Sequence, residues 1–194
     1  MTSKPPAELS TPSQSSQTSV PRQTVTMQMT SIWEWLATSG GLGNLPKAPG
    51  TYGSLPGLLL GPLLQVCLLA PSGDSHWGPI RFITSHRWIF LAVLILILLG
   101  AWIISRVEKL WGTHDDQRIV IDETIGQAVT LAFCTPDYIS ILLGFALFRL
   151  FDIVKPGPIG WIDRKVHGAW GTLLDDVLAG VAAAILLTVI TSFF

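Results

Sequence analysis

The sequence predicts an all-α protein, a polytopic membrane helical bundle with a re-entrant or broken helix around Pro136. Charged residues make up only 13% of the 194 residues, against roughly 25% in a typical soluble domain. The segment Trp88–Ser105 contains no charge and has tryptophans near both ends, as expected of a bilayer-spanning helix. A soluble helical protein with a large core is the alternative, and such long uncharged runs argue against it.

The first thirty residues differ in composition from the rest. Met1 to about Thr30 is rich in Ser, Thr, Gln and Pro and cannot bury enough apolar surface to offset the entropy of ordering. We therefore expect a disordered tail over residues 1–30 and a membrane-embedded domain over residues 31–194. Cys67 and Cys134 lie in apolar runs, which supports neither a disulfide framework nor zinc. A net charge of −1 gives no indication of a nucleic-acid partner.

The elements follow in order along the chain. Ser31–Ser39 is short and amphipathic, which suits a membrane interface. A loop dense in Gly and Pro follows, from Gly40 to Ser54. It opens onto an apolar helix, Leu55–Ala70, in which Pro56 suits the first turn. Leu173–Phe194 is the last segment long enough to span.

The segment Ile125–Phe148 is ambiguous, because Thr135-Pro136-Asp137 interrupts its middle. Each half has about ten residues, or roughly 15 Å of helix, which is half of a hydrocarbon core. A straight crossing would bury Asp137 near the midplane, which is costly. A re-entrant helical hairpin avoids that cost.

The distribution of basic residues separates these two models. A straight crossing places six Lys and Arg on each side of the membrane, whereas a hairpin places ten on one side and two on the other. The positive-inside tendency favours the hairpin, with the side that carries ten as the cytoplasmic one. The hairpin also brings the Gly/Pro loop, Asp122-Glu123 and the stretch Arg149–Asp176 to one membrane face.

Acidic residues are concentrated between Asp152 and Asp176. Arg149 and Asp152 are three residues apart at a helix end and share a face. Asp163 and His167 are four apart and are expected to share another. A solvated, salt-bridged interfacial loop is the alternative to a functional site.

The functional interpretation is a Mg²⁺ site that binds a phosphate group, because Mg²⁺ takes carboxylate oxygens and substrate phosphates. The candidate metal ligands are Asp122, Asp152, Asp175 and Asp176. The candidate phosphate-binding cations are Lys47, Arg149, Lys155 and Arg164. The candidates for acid–base catalysis are Asp163, His167 and Glu123. For His167 alone, an ordinary hydrogen-bonded histidine is the alternative.

Three blocks of sequence carry a family resemblance. They are Pro46–Leu55, Ile119–Gly126 and Phe148–Gly180, the last containing Phe-Asp-Ile-Val-Lys-Pro, Asp-Arg-Lys-Val-His-Gly and Asp-Asp. On these blocks the chain resembles phosphatidylglycerophosphatase A, a bacterial membrane enzyme. Gly160 departs from the family pattern, where Arg is expected, and the long N-terminal tail looks additional to the family core.

The resemblance implies an all-helical fold, Mg²⁺ dependence and a role in phosphatidylglycerol synthesis. The expected reaction is hydrolysis of the terminal phosphomonoester of phosphatidylglycerol phosphate, at the cytoplasmic face of the bacterial inner membrane. The expected partners are the phospholipid substrate and the bilayer.

Two other classes of protein are alternatives to an enzyme. A cation transporter or channel needs acids within its spans, and these spans are nearly free of them. A non-catalytic membrane scaffold gives no purpose to the density of acidic and basic residues.

Overall fold

The computed structural model describes residues 31–68 and 79–193, and for residues 79–86 it describes only the helical backbone. The expected tail over residues 1–30 lies outside these ranges. The described residues form seven α-helices, one short 3-10 helix at Leu42–Asn44 and no strand. The helices are α1 Ile32–Ala37, α2 Pro49–Leu68, α3 Pro79–Trp111, α4 Ile121–Leu131, α5 Tyr138–Val154, α6 Pro158–Lys165 and α7 Ala169–Thr191. The predicted all-α class is confirmed.

Three of these helices are long and apolar enough to cross a membrane: Pro49–Leu68, Arg87–Trp111 and Ala169–Thr191. Each overlaps one of the three predicted spans, and residues 69, 70 and 194 of those predictions lie outside the described ranges. The expectation that Pro56 lies in a first turn is wrong, because α2 begins at Pro49 and carries Pro56 and Pro62 inside it. The predicted loop is observed before α2, at residues 38–48, but Gly50 and Gly53 are helical residues at a close helix contact.

That contact joins α2 to α4 along a row of glycines. A Cβ atom at Gly57 would come within 2.5 Å of the Thr124 carbonyl oxygen, and one at Gly61 within 2.8 Å of the Ala128 carbonyl oxygen. Backbones approach this closely only where side chains are missing. On another face of α4, Gly180 of α7 lies against the Gly126 carbonyl. Helix α4 is therefore enclosed between α2 and α7, and residues 124–131 are all buried.

The break around Pro136 is confirmed, and the chain turns back there. Helix α4 has 11 residues, too few to cross a bilayer, and Asp137 caps the start of α5 by accepting a hydrogen bond from the Ser140 N–H at 2.9 Å. Gly50 lies against both Glu123, in the first turn of α4, and Arg149, near the end of α5. The start of α4 and the last turns of α5 therefore lie close together.

The hairpin is longer than the sequence suggested. Helix α5 has 17 residues and continues beyond the apolar segment to Val154, so Arg149 and Asp152 lie near its end as expected. The turn lies beside the ends of two spans, since Gln65 of α2 donates to the Cys134 carbonyl and the Cys134 Sγ lies 4.0 Å from the Thr188 Oγ1 of α7. The turn thus lies level with the far ends of α2 and α7, where Asp137 is exposed.

Candidate active site

A cavity of about 680 Å³, lined mostly by charged and polar residues, opens where α4 and α7 begin and α5 ends. Its walls come from the first turns of α4 and α7, from α6, and from the loops on either side of these helices. Eight of the predicted site residues line it: Asp122, Glu123, Asp152, Lys155, Asp163, His167, Asp175 and Asp176. The hairpin is what brings these separate stretches of sequence to one place.

Three carboxylates form the centre of this site. Asp122, Glu123 and Asp176 each offer an oxygen atom, and these atoms all lie within 4.8 Å of one another. Asp122 and Asp176 are buried, and the Asp122 Oδ1 and Glu123 Oε2 atoms have no hydrogen-bond partner. Burial, followed by the charge of Glu123, raises the pKa of Asp122 well above its ordinary value. Burial likewise raises the pKa of Glu123.

Such a cluster is costly unless something offsets the repulsion between the carboxylates. The packing of α4 against α7 holds the three carboxylates together. Gly126 of α4 lies directly against the Asp176 carbonyl, and a Cβ atom at Gly126 would come within 2.7 Å of that carbonyl oxygen. Buried carboxylate oxygens without partners are the donor set that suits a hard divalent cation. The three residues therefore fit a metal site. The sequence had placed Glu123 among the acid–base candidates rather than among the ligands.

Lys155 supplies positive charge beside the three-carboxylate cluster. It follows the last residue of α5 in the left-handed conformation, with φ of 46°, and this directs the chain into α6. Its Nζ donates to the Asp163 Oδ1 and to the Asp175 Oδ2, both at 2.5 Å. Partial burial opposes the charged form, but the two carboxylates outweigh it and raise the pKa of Lys155 above its usual range. Lys155 is therefore a fixed cation that ties α6 to α7.

Arg149 and Asp152 form an ion pair, as their spacing predicted. The Arg149 Nη1 lies 2.5 Å from the Asp152 Oδ2. Asp152 lines the cavity, whereas Arg149 is not among the lining residues and lies behind it against Gly50. Arg149 therefore adjoins the cavity only through its ion pair with Asp152.

Lys47 and Arg164 do not reach the cavity lining. Lys47 is exposed before α2 with φ of 69°, and Arg164 is exposed in the last turn of α6. Asp163 and His167 both line the cavity, but the expectation that they share one helical face is wrong. Helix α6 ends at Lys165 and Val166 is extended, so His167 lies on the connection to α7.

Sequence reasoning missed one wall of the cavity, formed by His114, Asp115, Asp116 and Gln117. We call these four residues the loop wall. The signal was available as His-Asp-Asp between a span and the second resemblance block. Arg118 hydrogen bonds to Asp116, at 2.7 Å to the Oδ2 atom, and lowers the pKa of Asp116.

Comparison with known proteins places the chain in a family. The model of the phosphatidylglycerophosphatase A family matches residues 35–191. The chain belongs to this family. It is 35% identical over 159 residues to phosphatidylglycerophosphatase A of Escherichia coli strain K12, covering 81% of this chain and 83% of that protein. It is 39% identical over 152 residues to the enzyme of the same name from Haemophilus influenzae, covering 77% and 83%.

A third relative has a different printed name. A putative phosphatidylinositol-3-phosphatase of Bacteroides thetaiotaomicron is 33% identical over 162 residues, covering 79% of this chain and 90% of that protein. No solved structure gives a significant match to the chain. Membership in the phosphatidylglycerophosphatase A family makes this chain a membrane protein and a hydrolase of phosphoric monoesters. The family match covers every predicted site residue.

Proposed function

We propose that this enzyme hydrolyses the terminal phosphomonoester of phosphatidylglycerol phosphate to give phosphatidylglycerol, with Mg²⁺ bound, in phospholipid biosynthesis. The observation that carries the proposal is the cluster of Asp122, Glu123 and Asp176 on a cavity wall, in which Asp122 and Glu123 each have one oxygen atom without a partner. The substrate follows the printed names of the two relatives at 35% and 39% identity. A phosphatase site rich in carboxylates needs a cation, since phosphate and carboxylate repel each other.

Asp122, Glu123 and Asp176 would hold the metal, with Asp152 and Asp175 beside them. Mg²⁺ held there would neutralise phosphate charge and orient the reacting groups. Asp152 and Asp175 are each already paired with a cation, and this makes them less available as ligands than the other three.

The residues of the chain supply the remaining functions. Lys155, on the cavity wall, is positioned to attract a phosphate oxygen in place of one of its carboxylate partners. Hydrolysis forms a bond from phosphorus to a water oxygen and breaks the bond to the lipid oxygen, which gains a proton. His167 and Asp163 line the cavity and are the groups proposed to accept a proton from water and deliver one to the leaving oxygen.

The proposed location is the bacterial inner membrane, with the cavity on the cytoplasmic side. The support is the charge distribution, because the end of the bundle that carries the cavity is the end with ten basic residues in the hairpin model. A pair of cysteine variants tests the orientation in a background without Cys67 and Cys134. Pro156→Cys, near the cavity, is expected to react only after membrane permeabilisation. Pro136→Cys, at the hairpin turn, is the matched position expected to react from outside, and the reverse result would contradict the orientation.

Phosphate release from phosphatidylglycerol phosphate tests the function. The full chain in detergent is expected to release phosphate with Mg²⁺ and to lose this activity in EDTA, with recovery on adding Mg²⁺ back. Phosphatidylinositol 3-phosphate is run in parallel, because one relative carries that name. A higher kcat/KM on the inositol lipid would replace the proposed substrate, and undiminished activity in EDTA would remove the metal from the proposal.

A further inference from the structure

The cavity is larger than the group on which the enzyme acts. At about 680 Å³ it has the volume of sites that take ligands of drug size, whereas a phosphate group is a few atoms across. Lys155 and the three-carboxylate cluster account for one part of its lining. The loop wall accounts for another, and neither the metal nor the acid–base roles proposed above use it.

The loop wall is held in one position from both of its ends. The Asp115 N–H donates to the Glu108 Oε1 at 3.4 Å, and His114 Nδ1 lies 3.6 Å from the same atom. Glu108 is itself buried near the end of α3. These contacts hold the backbone of the loop wall beside α3, so that this backbone loses little entropy when the loop wall meets a ligand.

The other end of the wall is tied to α3 through Arg118. Its guanidinium donates to both carboxylate oxygens of Asp116, at 2.8 and 2.7 Å. It also lies 4.2 Å from the centroid of the Trp111 ring. The charge of Arg118 is therefore engaged, and the wall presents carboxylates, an imidazole and an amide to the cavity.

This chemistry suits a hydroxyl group better than a phosphate. The Asp115 and Asp116 carboxylates repel a phosphate, but a carboxylate or amide oxygen accepts a hydrogen bond from a hydroxyl. Across the described ranges, 31–68 and 79–193, no hydrogen bond engages the Gln117 amide or the Asp115 carboxylate. Both side chains are exposed and line the cavity.

We propose that Asp115 and Gln117 determine substrate specificity by binding a free hydroxyl of the lipid headgroup: the Asp115 carboxylate accepts a hydrogen bond from the hydroxyl, and the Gln117 amide N–H donates one to it. The inference rests on the proposed function and deepens it, since the glycerol of phosphatidylglycerol phosphate carries one free hydroxyl beside the terminal phosphate. The loop wall would distinguish a headgroup that carries a free hydroxyl from one of the same length without a hydroxyl.

Two substrates and three variants test this inference. The substrates are phosphatidylglycerol phosphate and its deoxy analogue, in which propanediol replaces the headgroup glycerol. The variants are Gln117→Ala, Asp115→Gly and the control Asn44→Ala. Glycine is chosen at position 115 because Asp115 has φ of 56°, which glycine tolerates. Asn44 is an exposed carboxamide outside the cavity lining. The measurement is kcat/KM for phosphate release by the full-length protein.

The wild-type protein is expected to prefer the hydroxylated substrate. Gln117→Ala should lower kcat/KM on it by about 3- to 10-fold and Asp115→Gly by about 10- to 100-fold, the ranges for neutral and charged hydrogen bonds. Activity on the deoxy analogue should stay within about twofold, and Asn44→Ala should change neither. Equal losses on both substrates, or a wild type without preference, would overturn the inference. Failure of the proposed function looks different, since wild-type protein would then release no phosphate from either lipid.

Discussion

The α4–α5 hairpin has a turn at one end and an open end at the other, where α4 begins and α5 ends, and the two differ in whether their polar groups are hydrogen-bonded. At the turn, the Asp137 carboxylate accepts hydrogen bonds from the Ser140 N–H, the Ser140 hydroxyl and the Thr135 hydroxyl. Beside it, Gln65 donates to the carbonyls of Leu131 and Cys134. At the open end, the Asp122 Oδ1 and Glu123 Oε2 atoms are buried without a partner.

This difference separates structural polar groups from functional ones. Buried polar groups in proteins are almost always hydrogen-bonded, so an unsatisfied one calls for an explanation. At the turn, the polar side chains complete the ends of helices, and nothing is left over for a ligand. At the open end, one oxygen atom of Asp122 and one of Glu123 are left without a partner, and a bound cation is the partner that their chemistry suits.

The largest expected effect comes from removing one charge at the open end. Asp122→Asn and Asp176→Asn should each lower phosphate release by at least about 100-fold, the scale on which loss of a group that stabilises the transition state is felt. Because each change also removes charge from a crowded cluster, the metal-free protein should keep its melting temperature or gain stability. Phosphate release and thermal unfolding in EDTA, measured on the same preparations, test both statements.

Asp137→Asn at the turn is the matched control, because it neutralises a carboxylate at the other end of the hairpin. It should leave kcat within about twofold of wild type. If Asp122→Asn and Asp176→Asn both kept wild-type turnover, the metal-site interpretation of the open end would be wrong.

The second expected effect concerns Lys155, which is the cation of the open end. Lys155→Met leaves the buried Asp175 carboxylate without its partner, and an unsatisfied buried group costs about 1–3 kcal/mol. We expect that loss of unfolding free energy together with a rise in KM for the lipid. Chemical denaturation and steady-state kinetics measure the two. Lys165→Met, an exposed lysine in the same connection, serves as control, and equal effects from both variants would contradict a specific role for Lys155.

Much of the fold was predictable because membrane helices leave simple signals. Apolar runs of sufficient length with few or no charges predicted the three membrane-spanning helices. Pro136 and Asp137 predicted the turn between α4 and α5. The start of α2 at Pro49 was not predictable from composition, since Gly50 and Gly53 resemble loop residues until their contacts with α4 are known. The end of α5 at Val154 agrees with the placement of Arg149 and Asp152 at a helix end.

The site was predictable as a set of residues but not as an arrangement. Charge density and the hairpin brought together eight residues that line the cavity. The pairing of Glu123 with Asp122 and Asp176 depends on the glycine contact between α4 and α7, and spacing along the sequence does not report such a contact. Lys47 and Arg164 were named for their charge alone, and their side chains are exposed away from the cavity lining.

A smaller effect is expected from Gln65 at the turn. Gln65→Leu keeps the side-chain volume but leaves the Leu131 and Cys134 carbonyls without this donor, which should lower the free energy of unfolding by about 1–2 kcal/mol. The activity of the folded protein should remain within about twofold. Val66→Leu, at the exposed neighbouring position, is the control. A large loss of kcat in Gln65→Leu without loss of stability would mean that the turn is not purely structural.

The smallest expected effect is a pH dependence at Asp137. Its hydrogen bonds to Ser140 and Thr135 lower the pKa of Asp137 to about 2, whereas an aspartate in the unfolded chain titrates near 3.9. A depressed pKa adds stability that is fully present above about pH 4 and is lost as the pH falls toward 2. Asp137→Ala should therefore lower the melting temperature at pH 6, and the difference from wild type should shrink as the pH is lowered from 4 to 2. Asp137→Asn keeps a capping side chain without a carboxylate, so its deficit should be smaller and should vary less with pH; a constant deficit for Asp137→Ala across this range would show that its carboxylate charge adds nothing to the cap.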